Sequence, residues 1–209
     1  MSRQWLALRR EVNLLREHFL PDPFDPLGDY PNRAKVQAQT RAFLVLSHAE
    51  LEAYLEEWAK DIAQACEAVW KKSARVAMPL ACLLGSIADR MTLPTTMMTP
   101  GKDTQQRLAD SVKNLFQDYY RRIKDNNGVK EHNVLNLFAP LGVPPTAFGS
   151  TLLPNLDALG VRRGTHAHQS RRAVVSALDP ETEYKRVDSI VVDLQVFDEE
   201  LTLYRRRIR

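Results

Sequence analysis

The chain has 209 residues, with 29 Lys and Arg against 26 Asp and Glu and a formal charge of +3. That length supports one core without disulfides, and so slight a positive balance leaves any nucleic-acid binding to a local cluster of charge. Cys66 and Cys82 stand in apolar contexts that suit a reducing compartment, "MSRQWLALRREV" is charged too early for a secretory leader, and "VAMPLACLLGSIA" falls short of the ~20 residues of a membrane span, so a cytoplasmic protein without a membrane partner is expected.

Apolar residues recur at helical spacing almost throughout. Trp5, Leu8, Val12, Leu15 and Phe19 form the first stripe, and "LPDPFDPLGDYP" ends it with four prolines and a glycine. A very long helix follows from about Asn32 to Lys72, carried by Val36, Thr40, Phe43, Leu51, Tyr54 or Leu55, Trp58, Ile62, Ala65 and Val69. If it kinks, Ser47–His48 is the place. "MTLPTTMMTPGKD" reads as a loop, with Asp103 or Thr104 capping a helix on Leu108, Val112, Leu115, Tyr119 and Ile123 that ends at "NNG". A short helix is predicted over Asn133–Phe138. Pro154 suits the first turn of the next helix. The last helix begins at Asp179-Pro180, uses Val187, Ile190, Leu194, Phe197, Leu201 and Tyr204, and has acids first and arginines last, as the helix dipole favours. Only "SIVVDL" has any strand character. The predicted fold is all-α, an antiparallel helical bundle built around the long second helix. Residues 1–31 form an N-terminal helix with a Pro-rich loop, and residues 32–209 the main helical domain, in one domain overall.

No glycine-rich phosphate loop, C-x-x-C pair, H-E-x-x-H or G-x-S-x-G is present, and His18, His48 and His132 lack ligand spacing. A metal or nucleotide enzyme is therefore disfavoured; no metal and no cofactor is expected. The unusual stretch is "LGVRRGTHAHQSRR", Leu159–Arg172. As a helix at about 100° per residue it places Leu152, Leu156, Gly160, Arg163, Gly164, Ala167 and His168 on one broad face. Arg162 and His166 turn the other way and read as solvated surface charge. The two glycines, one turn apart, each cost ~1 kcal/mol in a helix interior, so close packing, a helix break, or both must offset them; small residues so placed let another helix come close. An arginine on such a face needs an anion. Geometry alone leaves two readings of Arg163 and His168: they satisfy a core acid, or they do chemistry.

"RGTHAH", Arg163–His168, resembles the R-x-x-x-x-H signature of the HEPN superfamily, small all-α domains common among prokaryotic toxin and defence ribonucleases. Upstream, "TRAFLVLSHAELEAYLEEWAKDIA" is similar to the long-helix segment of its RiboL-PSP branch. The resemblance covers about Asn32 to Leu201. It departs from the family at Gly164, where Asn or another polar residue often stands. The resemblance implies a HEPN-like fold and a metal-independent endoribonuclease of toxin or antiviral-defence type, acting on RNA as a homodimer in which two R-x-x-x-x-H helices meet. Arg163 and His168 would be catalytic. Glu52, Gly164 and His166 are supporting candidates, Glu52 chosen over Glu50 and His48 as the counter-charge of Arg163. An antitoxin or other partner encoded nearby is a further expectation. The alternative is a non-catalytic RNA-binding or protein-interaction module of the same type.

Overall fold

The computed structural model describes residues 1–87, 104–168 and 177–208, without the side chains of 87, 104, 105 and 165–168. These residues form seven α-helices: α1 (Arg3–Phe19), α2 (Arg33–Ser73), α3 (Met78–Ile87), α4 (Thr104–Lys124), α5 (Glu131–Phe138), α6 (Leu152–His168) and α7 (Pro180–Arg206), with two 3-10 turns at Ala139–Leu141 and Pro145–Phe148. No strand occurs among them, and none of these helices is long and apolar enough to cross a membrane.

Local chemistry sets the helix ends. Ser2 caps α1 through Trp5 N–H, Asn32 caps α2 through Lys35 N–H, and Asp179 caps α7 through Thr182 N–H. Each side chain satisfies a donor that the first helical turn leaves free. α2 runs unbroken through Ser47–His48 for 41 residues, about 60 Å at 1.5 Å per residue. "SIVVDL" is helical, not extended. Ile190, Val191 and Leu194 are buried on α7 while Val192 is half exposed, so packing at helical spacing overrides the β-branched run.

Cross-links give the helix directions. Gln37 of α2 exchanges two hydrogen bonds with the Leu178 backbone (2.6 and 2.7 Å), just before α7 begins. Farther along, Tyr54 and Trp58 of α2 reach Asp198 of α7. α2 and α7 are therefore parallel. α1 opposes them: Ser2 meets Asp198, and Arg9 meets Asp188. α6 opposes them too, since Asn155 bonds Asp193 at 3.0 Å and Arg162 reaches Glu183. This four-helix core is extended by α4, α5 and the 3-10 turns. Phe138, Phe148 and Phe197 form an aromatic cluster with centroids 4.9–6.1 Å apart. α1 is integral, because Trp5, Leu8 and Val12 lie in the common core. The Pro-rich loop docks on α7, where Phe24 faces Tyr184 and the Arg16 guanidinium lies over both rings.

Asp198 is wholly buried yet surrounded by donors: Ser2 N–H at 2.7 Å, the Ser2 hydroxyl, Tyr54 Oη at 3.1 Å and Trp58 Nε1 at 3.0 Å. A buried carboxylate is tolerable only when so satisfied. Both cysteines are free. Cys66 is buried, and burial raises its thiol pKa to about 11. Cys82 is not fully buried as expected; it stands at a partly open edge against Gly142. Leu108, expected in the α4 stripe, is half exposed, whereas Val112, Leu115, Tyr119 and Ile123 are buried. The expected loop at Met91–Asp103 lies outside the described residues.

Candidate functional site

α6 carries the Arg/His motif at its C-terminal end. Leu152, Leu156 and Leu159 bury its inner face against the core. Gly160 is buried as well, beneath the stem of Lys130, the residue that precedes α5. A Cβ at 160 would stand 2.7 Å from Lys130 Cγ, so only glycine permits this approach. The closeness expected between α6 and a second helix through Gly160 is thus met within the chain, by a lysine side chain. Among the described residues nothing lies within 4 Å of a Cβ built at Gly164.

Beyond Gly160 the side chains diverge. Arg162 is not the solvated residue expected from sequence. It ion-pairs with Glu183 of α7, which is 1% exposed and whose other oxygen takes Arg186 Nη1 at 3.0 Å. A carboxylate that deep needs its cations, and α6 supplies one of the two.

Arg163 lies within electrostatic reach of His48 on α2. His48 is 4% exposed, and burial together with the positive Arg163 holds its imidazole well below the ordinary value, at about 4. At neutral pH this ring is uncharged. Its Nδ1 faces Glu52 Oε2 at 3.8 Å. Glu52 does not pair with Arg163 as expected. Its Oε1 accepts the Gly128 N–H, made available because Gly128 adopts a positive φ of 131°. Asn126 steadies that loop by donating to Glu56 (2.9 Å) and to the Gly128 carbonyl (3.1 Å). Glu50 sits elsewhere, on the side of α2 nearer α1, where burial, Glu11 and Glu57 raise its pKa. Of the three candidates on the long helix, His48 is the one whose titration feels Arg163.

The Arg163 guanidinium has no counter-ion in the part of the chain that is described. Among the described residues it forms no ion pair, and its Nε is inaccessible to solvent with no hydrogen-bond partner. Arg41, two turns before His48 on the same face of α2, also has a buried Nε without a partner. The backbone of α6 extends through positions 166 and 168, but the side chains of His166 and His168 lie outside the described residues, as do Arg171 and Arg172.

The structure thus brings Arg163, His48 and Glu52 to one corner, with Arg162, Glu183 and Arg186 beside it. Glu183 and Arg186 were not singled out from sequence, although a signal was present. Glu183 stands on the apolar stripe of α7, one turn before Val187, where an acid has no reason to be unless a cation faces it. Among the described residues no group of three or more His, Cys, Asp or Glu side chains is arranged to hold a metal ion.

No curated protein and no solved structure shows a significant match to the chain. The family model described as RiboL-PSP-HEPN matches residues 7–203, which reaches from α1 into α7 and takes in every side chain of the corner just described. With an all-α bundle in which the R-x-x-x-x-H motif ends one core helix, the chain belongs to the RiboL-PSP-HEPN family.

Proposed function

We propose that this HEPN domain is a metal-independent endoribonuclease that acts as a homodimer, with Arg163 and His168 of each subunit at the shared cleft. The observation that carries the reading is that Arg163 has no ion-pair partner among the described residues. A part-buried guanidinium without an anion is costly, and an RNA phosphate would satisfy it through two parallel hydrogen bonds. The nearby carboxylates are already engaged: Glu183 holds two arginines, and Glu52 holds the Gly128 N–H.

In this reading the ribose 2′-OH attacks the phosphorus, a histidine takes its proton, and the bond from phosphorus to the 5′-oxygen breaks as a second histidine protonates that oxygen. The products are a 2′,3′-cyclic phosphate and a 5′-OH. Arg163 stabilises the extra negative charge of the pentacovalent state. His48 is a poor candidate for either histidine, because it is buried and stays neutral down to about pH 4. His168 of the two subunits fills the roles better. Gly164 supports the dimer: no described atom lies within 4 Å of a Cβ built there, and with half-exposed Val161 and position 168 it forms one stripe along α6.

The test incubates the protein with mixed RNAs in EDTA and analyses the ends. Cyclic-phosphate and 5′-OH ends, lost in Arg163→Ala, support the reading. Cleavage that stops in EDTA, or a 2′-deoxy site cut as fast as its ribose counterpart, overturns it. RNA binding without cleavage favours the non-catalytic module.

A further inference from the structure

We propose that Glu183 is a positioning residue: through its ion pair with Arg162 it fixes the rotation of the last turns of α6 and so holds Arg163 toward α2. The inference rests on the proposed function for the importance of Arg163, but its structural content stands apart from activity.

Three observations converge on it. Glu183 is 1% exposed on a stripe otherwise made of Val187, Ile190 and Leu194, so its charge is not there for solubility. Its two oxygens are divided between Arg162 of α6 and Arg186, one turn along its own helix. Arg186 would suffice as a local partner; Arg162 makes the contact a link between helices. Arg162 and Arg163 are adjacent, about 100° apart around α6. With Arg162 drawn to α7, Arg163 is turned to another side of α6, within electrostatic reach of His48.

Beyond Gly160, seated under Lys130, Gly164 has no side chain with which to fix the azimuth of α6. Among the described residues the Arg162–Glu183 ion pair is a contact that does so. Its planar, forked geometry suits that task better than a lysine would.

The test reads His48 by NMR titration, and reads RNA cleavage separately. The charged groups facing His48 are Glu52 on α2 and Arg163 on α6. Glu183→Gln removes a negative charge, which by direct electrostatics would lower the His48 pKa further. Release of Arg163 does the opposite. The expected result is an upward shift from about 4, with cleavage slowed by about 10–100-fold in kcat and little change in KM. Arg162→Lys keeps the charge and alters only the link, so it should shift His48 the same way, and it decides the matter if Glu183→Gln does not fold. An unchanged or lowered His48 pKa in a folded Glu183→Gln protein, or no shift in Arg162→Lys, overturns the proposal. Failure of the wild-type protein to cleave RNA overturns the proposed function and leaves the titration to judge Glu183.

Discussion

Gly160 and Gly164 lie one turn apart on α6, and alanine should have opposite effects at the two positions. Replacing a helical glycine by alanine gains up to about 1 kcal/mol in propensity. At 164 no described atom stands within 4 Å of the new Cβ, so the gain is kept, though reduced to about 0.5 kcal/mol near the helix end. At 160 the Cβ would meet Lys130 Cγ at 2.7 Å, with Cε and Cδ at 3.6 and 3.7 Å. Ordinary carbon contact is about 3.5–4.0 Å, so Lys130 must give by nearly 1 Å, close to its own backbone. Overpacking of that kind costs about 1–3 kcal/mol, which leaves Gly160→Ala about 1 kcal/mol less stable than wild type. The two variants should therefore differ by about 1.5 kcal/mol, or about 3–6 °C in Tm for a chain of this size. Thermal and urea melts check this. Lys130→Ala removes the obstructing stem, and in that background Gly160→Ala should become neutral or stabilising. The reasoning fails if Gly160→Ala melts at or above Gly164→Ala, or if Lys130→Ala brings no relief. Protein concentration adds a further reading. If a partner helix covers Gly164 in a dimer, the gain from Gly164→Ala shrinks as concentration rises.

Asp198→Asn should cost about 2–3 kcal/mol in urea unfolding with an unchanged slope, because the carboxylate accepts from Ser2, Tyr54 and Trp58 and an amide cannot accept from all of them; an unchanged midpoint would refute this. His48 titrates at about 4 when folded against 6.5 when unfolded, so the unfolded chain binds more protons between those values and stability falls as pH drops through that window. The loss reaches about 3 kcal/mol by pH 4, and His48→Gln should remove that part of the pH dependence; parallel slopes for the two proteins would refute it. In the cleavage assay, His168→Ala should abolish activity and His166→Ala leave it nearly intact, and the reverse ranking would show that the motif is read in the wrong phase.

The helices were legible because their signals are local. Apolar spacing and the Asp179-Pro180 start are read from residues close to one another, and the structure keeps both. The corner around Arg163 was legible only in part. Arg163 itself stood out, since a cation on a packed face demands an explanation. Its surroundings depend on which helix lies across from it. Arg162 was expected in solvent because nothing within α6 reveals Glu183, a residue 21 positions later. Glu52 was expected to face Arg163, but the Gly128 N–H of a loop 76 positions away takes its oxygen first. Buried acids are the clue that sequence does offer. Glu183 and Asp198 both interrupt the apolar stripe of α7, and both prove to hold helices together.

The link between Ser2 and Asp198 has a consequence for how the bundle comes together. It joins positions 196 residues apart, and Trp5 donates to the Val191 carbonyl across a similar span. Such closures are paid for late in folding, because their loop entropy must be met before the contacts return anything. During synthesis α1, α2 and α6 all emerge before α7, and the Arg163 end of α6 is finished before Glu183 exists to receive Arg162. The motif is therefore made well before it is aimed, and a chain released before α7 would carry every residue of R-x-x-x-x-H without the means to orient it.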